Sequence, residues 1–494
     1  MNRKKELAEI KTKIASFLPQ HRDLYYDGKW QRPQGGYRDT GNPATGDSLG
    51  PAAEADAGDV DAAVKAAHRA SLEWRRIKPL ERAALLKKVA GVLRAHAEEL
   101  AMIDAANCGN PIREMLQDAV VAAMQIEFYA GLVTEVKGTT IPMGEGVVNM
   151  SVREPYGVVG RIVAYNHPIM FTAGKAAPAL AAGNAVIMKP PYQAPLSAYR
   201  MMELIEGILP PGVLNIVSAG REGSEALVIH PLVPRIALIG SVPTGRAVAK
   251  TASARLKRVT LELGGKNACI IYPDAEIKKA TQGAVTGMNF SWCGQSCGST
   301  SRLFLHEDIY DRVMEGILEI IKIYRPGIPT DMETTMGAVI SKAQHEKILG
   351  YIDIAKREGA RLVYGGNIPT DPLLSRGWFV EPTVFTDVDQ DMRIAQEEIF
   401  GPVLSVIKWK DEERMFAQVN AVEYGLTASI WTTSLANAHR AASRTEAGYV
   451  WVNSASAHFL GASFGGYKQS GIGREEGLDE LLSYTQEKNI NITL

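Results

Sequence analysis

From residue 157 the chain repeats one pattern: a short β-branched run, then a stretch with helical spacing. "GVVGRIVAYN", "NAVIMKP", "GVLNIVSAG" and "RIALIGS" are the first four such runs. Runs of this kind separated by helical patterns define a parallel sheet with helical crossovers. A second series starts at "RVTLELGGKNACIIYP". It continues through "SRLFLHE", an amphipathic helix at 307–323, "PVLSVIKWK", "LTASIWTT" and "GYVWVN". Two α/β units joined near residue 260 leave a cleft between them. Residues 57–135 read as helices, and "GTTIPMGEGVVNMSVREPYG" after them as strand-rich. The tail "LLSYTQEKNINITL" reads as a terminal strand, whose free edge invites another subunit.

The 494 residues suggest two to four domains, at roughly 100–200 residues each. A net charge of −1 without a basic stripe speaks against nucleic acid and anionic membrane as partners. The most apolar region, residues 156–190, is broken by Arg161, Asn166, His167, Lys175 and Asn184, so it does not read as a membrane span. The N-terminal "MNRKKELAEIKTKIASFLPQ" is charged and helix-patterned, unlike a secretion signal. Four cysteines are too few for a disulfide scaffold and suit a reducing compartment. The expectation is a soluble cytoplasmic protein.

Two of those cysteines sit close together in "NFSWCGQSCGSTSR", residues 289–302. Half of a zinc site would have this look, but Cys108 and Cys269 stand alone, so no metal is expected. The flanking Gly294, Ser296, Gly298, Ser299 and Thr300 do not build a core. They permit a tight backbone with N–H groups free for a ligand. Cys297, placed between an expected helix and the strand "SRLFLHE", can be a nucleophile, whereas Cys293 beside Trp292 reads as packing. Glu262, leaving an apolar strand before Gly-Gly, is the candidate general base, because burial raises a carboxyl pKa. Asn166, at a strand end before Pro168, is the candidate oxyanion donor.

With these three in place, the chain from roughly residue 25 to its end resembles the NAD(P)-dependent aldehyde dehydrogenase superfamily. "YNHP", "MKPPYQAPLSA", "GSVPTGR", "LELGGKN", "GQSCGSTSR", "QEEIFGPVLSV", "YGLTASIWT", "VWVN" and "SFGGYKQSGIGREEG" follow the order of its motifs. The resemblance implies an α/β fold: a Rossmann-type cofactor domain (1–136 and 154–262), an α/β catalytic domain (263–474) and a small β oligomerisation element (137–153 and 475–494). It implies a homodimer or homotetramer. It further implies that the Cys297 thiolate attacks an aldehyde. Asn166 and the Cys297 N–H would hold the oxyanion, hydride would pass to NAD or NADP, and Glu262 would activate the water that hydrolyses the thioester. Lys189 would bind the adenosine ribose beside Tyr192 and Gly220. Ser241 would meet the pyrophosphate in the Gly240–Gly245 turn, and Glu398, Phe400 and Tyr165 would surround the nicotinamide ribose and ring. The alternatives are a CoA-acylating semialdehyde dehydrogenase, a cofactor-independent thiol hydrolase and a silent binding protein.

The chain departs from the family pattern in three places. Tyr192 stands where NAD-preferring members carry a Glu, which removes a charge that would repel a 2′-phosphate. NADP is therefore open, with NAD favoured. His167 replaces the Phe after the oxyanion Asn. Gly174 replaces a tunnel Trp, and His458 an aromatic ring. Loss of two large rings predicts a wider tunnel, lined by Met170, Phe171, Phe459 and Phe464, for a bulky apolar or aromatic aldehyde.

Overall fold

The computed structural model describes residues 2–494, with side chains from Glu9 onward. Two large sheets carry the molecule. The first orders its strands Lys29–Gln31, Leu24–Tyr26, Leu214–Ile216, Ala185–Lys189, Val158–Ile162, Arg235–Ile239, Arg258–Glu262 and Gly471–Ile472. Its five middle strands run parallel and its outer strands antiparallel. Every residue of Val158–Ile162, Ala185–Lys189 and Arg235–Ile239 is buried, which is why these runs show no alternation. Arg161 is tolerated inside because the Glu475 carboxylate lies 2.6 Å away.

The second sheet orders Arg361–Tyr364, Thr383–Thr386, Val403–Trp409, Arg302–His306, Ala268–Ile271, Thr427–Trp431 and Tyr449–Val452, all parallel except the first pair. Gly471–Ile472 lies within the stretch expected to be catalytic, yet it returns to the first sheet beside Arg258–Glu262. A third sheet, antiparallel, joins Thr140–Pro142, Val147–Pro155 and Thr485–Thr493.

Residues 57–135 form the helices Ala57–Trp74, Pro79–Ala95, Ala97–Cys108 and Ile112–Gly131 plus one short turn. Asp56 and Asp59 close a reciprocal capping box at the first of them. The expected helix at 307–323 is Tyr310–Ile320 with a single tight turn at each end. The tail differs from expectation in its first part: Leu478–Ser483 is a helix, and the strand begins at Thr485. Among the described residues no helix is long and apolar enough to cross a membrane.

These sheets set the site. Ligands of an open parallel sheet gather at the carboxyl ends of its strands, where the strand order reverses. The order reverses at Val158–Ile162, between Ala185–Lys189 and Arg235–Ile239. Asn166, Lys189, Gly220, Ser241 and Glu262 all lie at or just past those ends. From the second sheet, Asn267, Cys297, Glu398 and Phe400 lie before the amino ends of Ala268–Ile271, Arg302–His306 and Val403–Trp409.

Candidate active site

No helix runs into Cys297. The preceding helix ends at Gly287, a short 3₁₀ turn follows at Phe290–Trp292, and Asn289, Cys293 and Gly294 around it are left-handed (φ 55°, 54° and 64°). Glycine is required at 294, where a Cβ would sit 2.2 Å from the Gly401 carbonyl oxygen. The strand after the loop, Arg302–His306, is as expected. Asn267 ties the loop to the second sheet. Its Nδ2 donates to the carbonyls of Cys297 (2.7 Å) and Ser299 (3.0 Å), and its Oδ1 accepts from the Thr427 N–H (3.0 Å). Cys293 is 1% exposed and donates to the Gly337 carbonyl, whereas Cys297 is partly accessible. No cluster of metal-ligating side chains occurs among the described residues.

Burial pushes the Cys297 thiol up to about 12, and the Glu262, Glu398 and Glu476 carboxylates add to the rise. Glu262 is 5% exposed, and neither carboxyl oxygen has a protein partner. Burial first, then the charge of Glu475, drives it well above the usual carboxylate range, against the pull of Lys175. Glycine at 465 makes room for this carboxyl: a Cβ there would lie 2.9 Å from Glu262 Oε1. Burial thus disfavours the ionised form of thiol and carboxyl alike, and a bound positive charge would favour it. Lys175 lies 3.0 Å from Glu475 and 3.4 Å from Glu476. Asn166 is 3% exposed, its carbonyl accepts from Asn110 Nδ2 at 2.8 Å, and Asp104 accepts from the Ile169 N–H at 2.9 Å.

On the cofactor side a cavity of about 630 Å³ is lined by Lys189, Tyr192, Gly220, Arg221, Thr244 and Glu54. Burial, with Arg38 nearby, lowers the Lys189 ammonium to about 8. The Tyr192 hydroxyl donates to Glu54 Oε2 at 3.3 Å, and a Cβ at Gly220 would lie 2.3 Å from Glu54 Oε1. A carboxylate therefore stands in the cavity after all, brought by another segment. Ser241 caps the helix Val242–Ser253, whose free N–H groups suit a phosphate. Gly240 precedes that cap, and Gly245 lets the helix pack on Leu263, whose methyl would meet a Cβ at 2.6 Å. Glu398 accepts from the Gly265 N–H at 3.0 Å. Phe400 is held at φ 56° with its ring edge-on to Tyr165, 5.9 Å between centroids. These features fit a dinucleotide: a largely apolar cavity that holds Lys189, Tyr192 and Glu54, and a free helix N-terminus beside it.

On the substrate side, Met170–Gly174 forms one wide π turn with Phe171 buried. Gly174 does not leave open space where a Cβ would sit. Gln125 Oε1 occupies the spot 1.9 Å from where a Cβ would be, so the missing ring is replaced by a buried amide. His167 Nδ1 lies 2.8 Å from Asp118, and His458 Nδ1 lies 3.0 Å from Glu476. His458 packs on Phe464, 4.7 Å between centroids. Phe459 is 63% exposed and stands outside this aromatic cluster. Sequence reasoning missed Glu54, Asn267, Gln125, Asp118, Glu475 and Glu476. Only the run "GREEG", with two adjacent acids beside a glycine turn, carried a local signal.

The model of the aldehyde dehydrogenase family matches residues 30–490. An aldehyde dehydrogenase, tropH, of Talaromyces stipitatus is 49% identical over 97% of this chain and 95% of its own. The NAD+ complex of an aldehyde dehydrogenase from Bacillus cereus superposes with TM-score 0.94 at 38% identity, covering 98% of each chain. An indole-3-acetaldehyde dehydrogenase of P. syringae, solved with NAD+ and IAA, superposes with TM-score 0.95 at 34% identity, covering 99% of each.

Proposed function

The chain belongs to the aldehyde dehydrogenase family, and from that premise we propose that it oxidises an aromatic aldehyde to the carboxylic acid with NAD+, through Cys297. One observation carries this reading. Cys297 lies on the loop ahead of Arg302–His306 in the second sheet, and Glu262, buried with neither carboxyl oxygen bonded, ends Arg258–Glu262 in the first. A nucleophile and a base arrive from opposite sides of one cleft.

In this reading the Cys297 proton passes to the Glu262 carboxylate and on to solvent, and the sulfur bonds to the aldehyde carbon. The Asn166 amide and the Cys297 N–H donate to the resulting oxyanion. Lys189 and Ser241 hold the nucleotide, with Glu398 at its nicotinamide ribose. When bound, the nicotinamide accepts the hydride. A thioester on Cys297 remains, and Glu262 takes a proton from the water that cleaves it. Its dry environment supports that role, because a carboxyl with a raised pKa is a competent base near neutrality. Water as acyl acceptor is favoured over CoA for the same reason. The aromatic substrate is supported by the ring cluster of Tyr449, Trp451, His458 and Phe464. Residues 137–153 and 475–494 join two copies or four.

Glu54 supports NAD over NADP. Its carboxylate stands beside Tyr192, where a 2′-phosphate would be repelled. Arg38 adjoins both, its guanidinium stacked on Tyr192 at 3.8 Å and paired with Glu54 at 3.8 Å. The test is initial rates with each nucleotide over aliphatic and aromatic aldehydes, with dissociation constants by fluorescence quenching. NAD should bind at least about tenfold tighter than NADP, a gap of ~1.4 kcal/mol, and Glu54→Gln should narrow it. Equal binding of both nucleotides by wild type, or an unchanged ratio in the variant, contradicts the assignment to Glu54.

A further inference from the structure

The inference rests on the reading that Cys297 oxidises an aldehyde, and concerns what else that aldehyde carries. The His458 ring stacks on Tyr449, with centroids 5.9 Å apart and planes within 15°, and tilts toward Phe464. Trp451 adjoins it at 6.2 Å and reaches Gly298, the residue after Cys297, where a Cβ would lie 3.9 Å from the indole. The imidazole thus belongs to an aromatic wall beside the thiol loop, and its side chain is 41% exposed.

Three contacts fix Glu476, its partner. The residue is left-handed at φ 66°, a conformation a glutamate adopts only under constraint. Its N–H donates to Glu480 at 2.8 Å, and its carbonyl accepts from the Gly461 N–H at 2.7 Å. Burial opposes its charge, but the Lys175 ammonium and the His458 hydrogen bond outweigh it and hold the carboxyl down to about 2. An ionised carboxylate only accepts hydrogen bonds, so Nδ1 of His458 carries the hydrogen. With the hydrogen on Nδ1, Nε2 is the ring position left to face a ligand, and it has no partner among the described residues. The same arrangement occurs at His167. Asp118, 4% exposed, takes its Nδ1, its ring lies against Phe171 and Trp292, and Nε2 is again left over. A half-dry imidazole whose other nitrogen is pinned is a directed acceptor, and an apolar ring does not satisfy it.

We propose that His458 is a specificity residue whose Nε2 accepts a hydrogen bond from a hydroxyl on the substrate's ring, with His167 a second acceptor, so that the substrates are hydroxylated aromatic aldehydes. The test compares kcat/KM for 2-, 3- and 4-hydroxybenzaldehyde with that for benzaldehyde, in wild type, His458→Phe and His458→Gln. In wild type at least one hydroxylated isomer should exceed benzaldehyde by about tenfold or more, because an acceptor left unpaired penalises the analogue lacking the hydroxyl. The preference should collapse toward unity in His458→Phe, which keeps a ring, and return in part in His458→Gln, whose amide oxygen accepts. Wild type oxidising benzaldehyde with no preference for any isomer overturns the inference and leaves the dehydrogenase reading standing. A preference that survives in His458→Phe overturns it too. No turnover of any aldehyde with either nucleotide overturns the dehydrogenase reading and this inference with it.

Discussion

Cys297 and Glu262 were legible in the sequence because each breaks a local rule: a cysteine among small residues, and a charge at the end of an apolar strand. Their resting state was not legible, since it depends on what folding brings around them. Burial pushes Cys297 up to about 12, so only a small thiolate fraction exists at neutral pH. Raising the pH deprotonates the thiol, and reactivity grows with it. Iodoacetamide labelling of Cys297 in the nucleotide-free protein should therefore quicken about tenfold per pH unit from 7 to 9, without levelling off. Peptide mass spectrometry measures the rate, and a plateau near pH 7 contradicts the assigned environment. Glu54 and Glu476 escaped sequence reading for another reason. Each hydrogen-bonds a partner, Tyr192 and His458, that lies 138 and 18 residues away.

Strands announce themselves by buried β-branched runs, so both large sheets were readable before any coordinates. Packing between elements was not. The glycine at 174 reads as lost volume, yet the helix Ile112–Gly131 sends Gln125 into the space. Adding volume there should be destabilising: Gly174→Ala should lower stability by about 1–3 kcal/mol. Gln125→Ala in the same chain should relieve much of that cost, because residues in contact are not additive. Urea unfolding of the two single variants and the double variant measures the coupling. Strict additivity would mean that Gln125 does not fill the site. The helix and the strand around the thiol loop were legible, whereas the tie from Asn267, at the neighbouring strand end, to the Cys297 and Ser299 carbonyls was not.

At the scale of the molecule, the third sheet leaves Thr140–Pro142 and Thr485–Thr493 as edges, with Ile141, Met143, Val148 and Ile492 exposed in the single chain. Unpaired edges with apolar side chains call for a partner. Light scattering at micromolar concentration should find the intact protein oligomeric and a chain without residues 485–494 smaller, and an unchanged mass contradicts the proposed interface. The resemblance in motif order made this element readable, while local propensity alone left the start of the tail wrong, at Leu478–Ser483. The catalytic claim also spans the molecule, because its nucleophile and its base come from different sheets. Mass spectrometry of Glu262→Gln mixed with NAD+ and an aldehyde that wild type oxidises tests it most directly. One acyl group should accumulate on Cys297, and none on Cys297→Ser. An unlabelled Cys297, or undiminished turnover in Cys297→Ser, would contradict it.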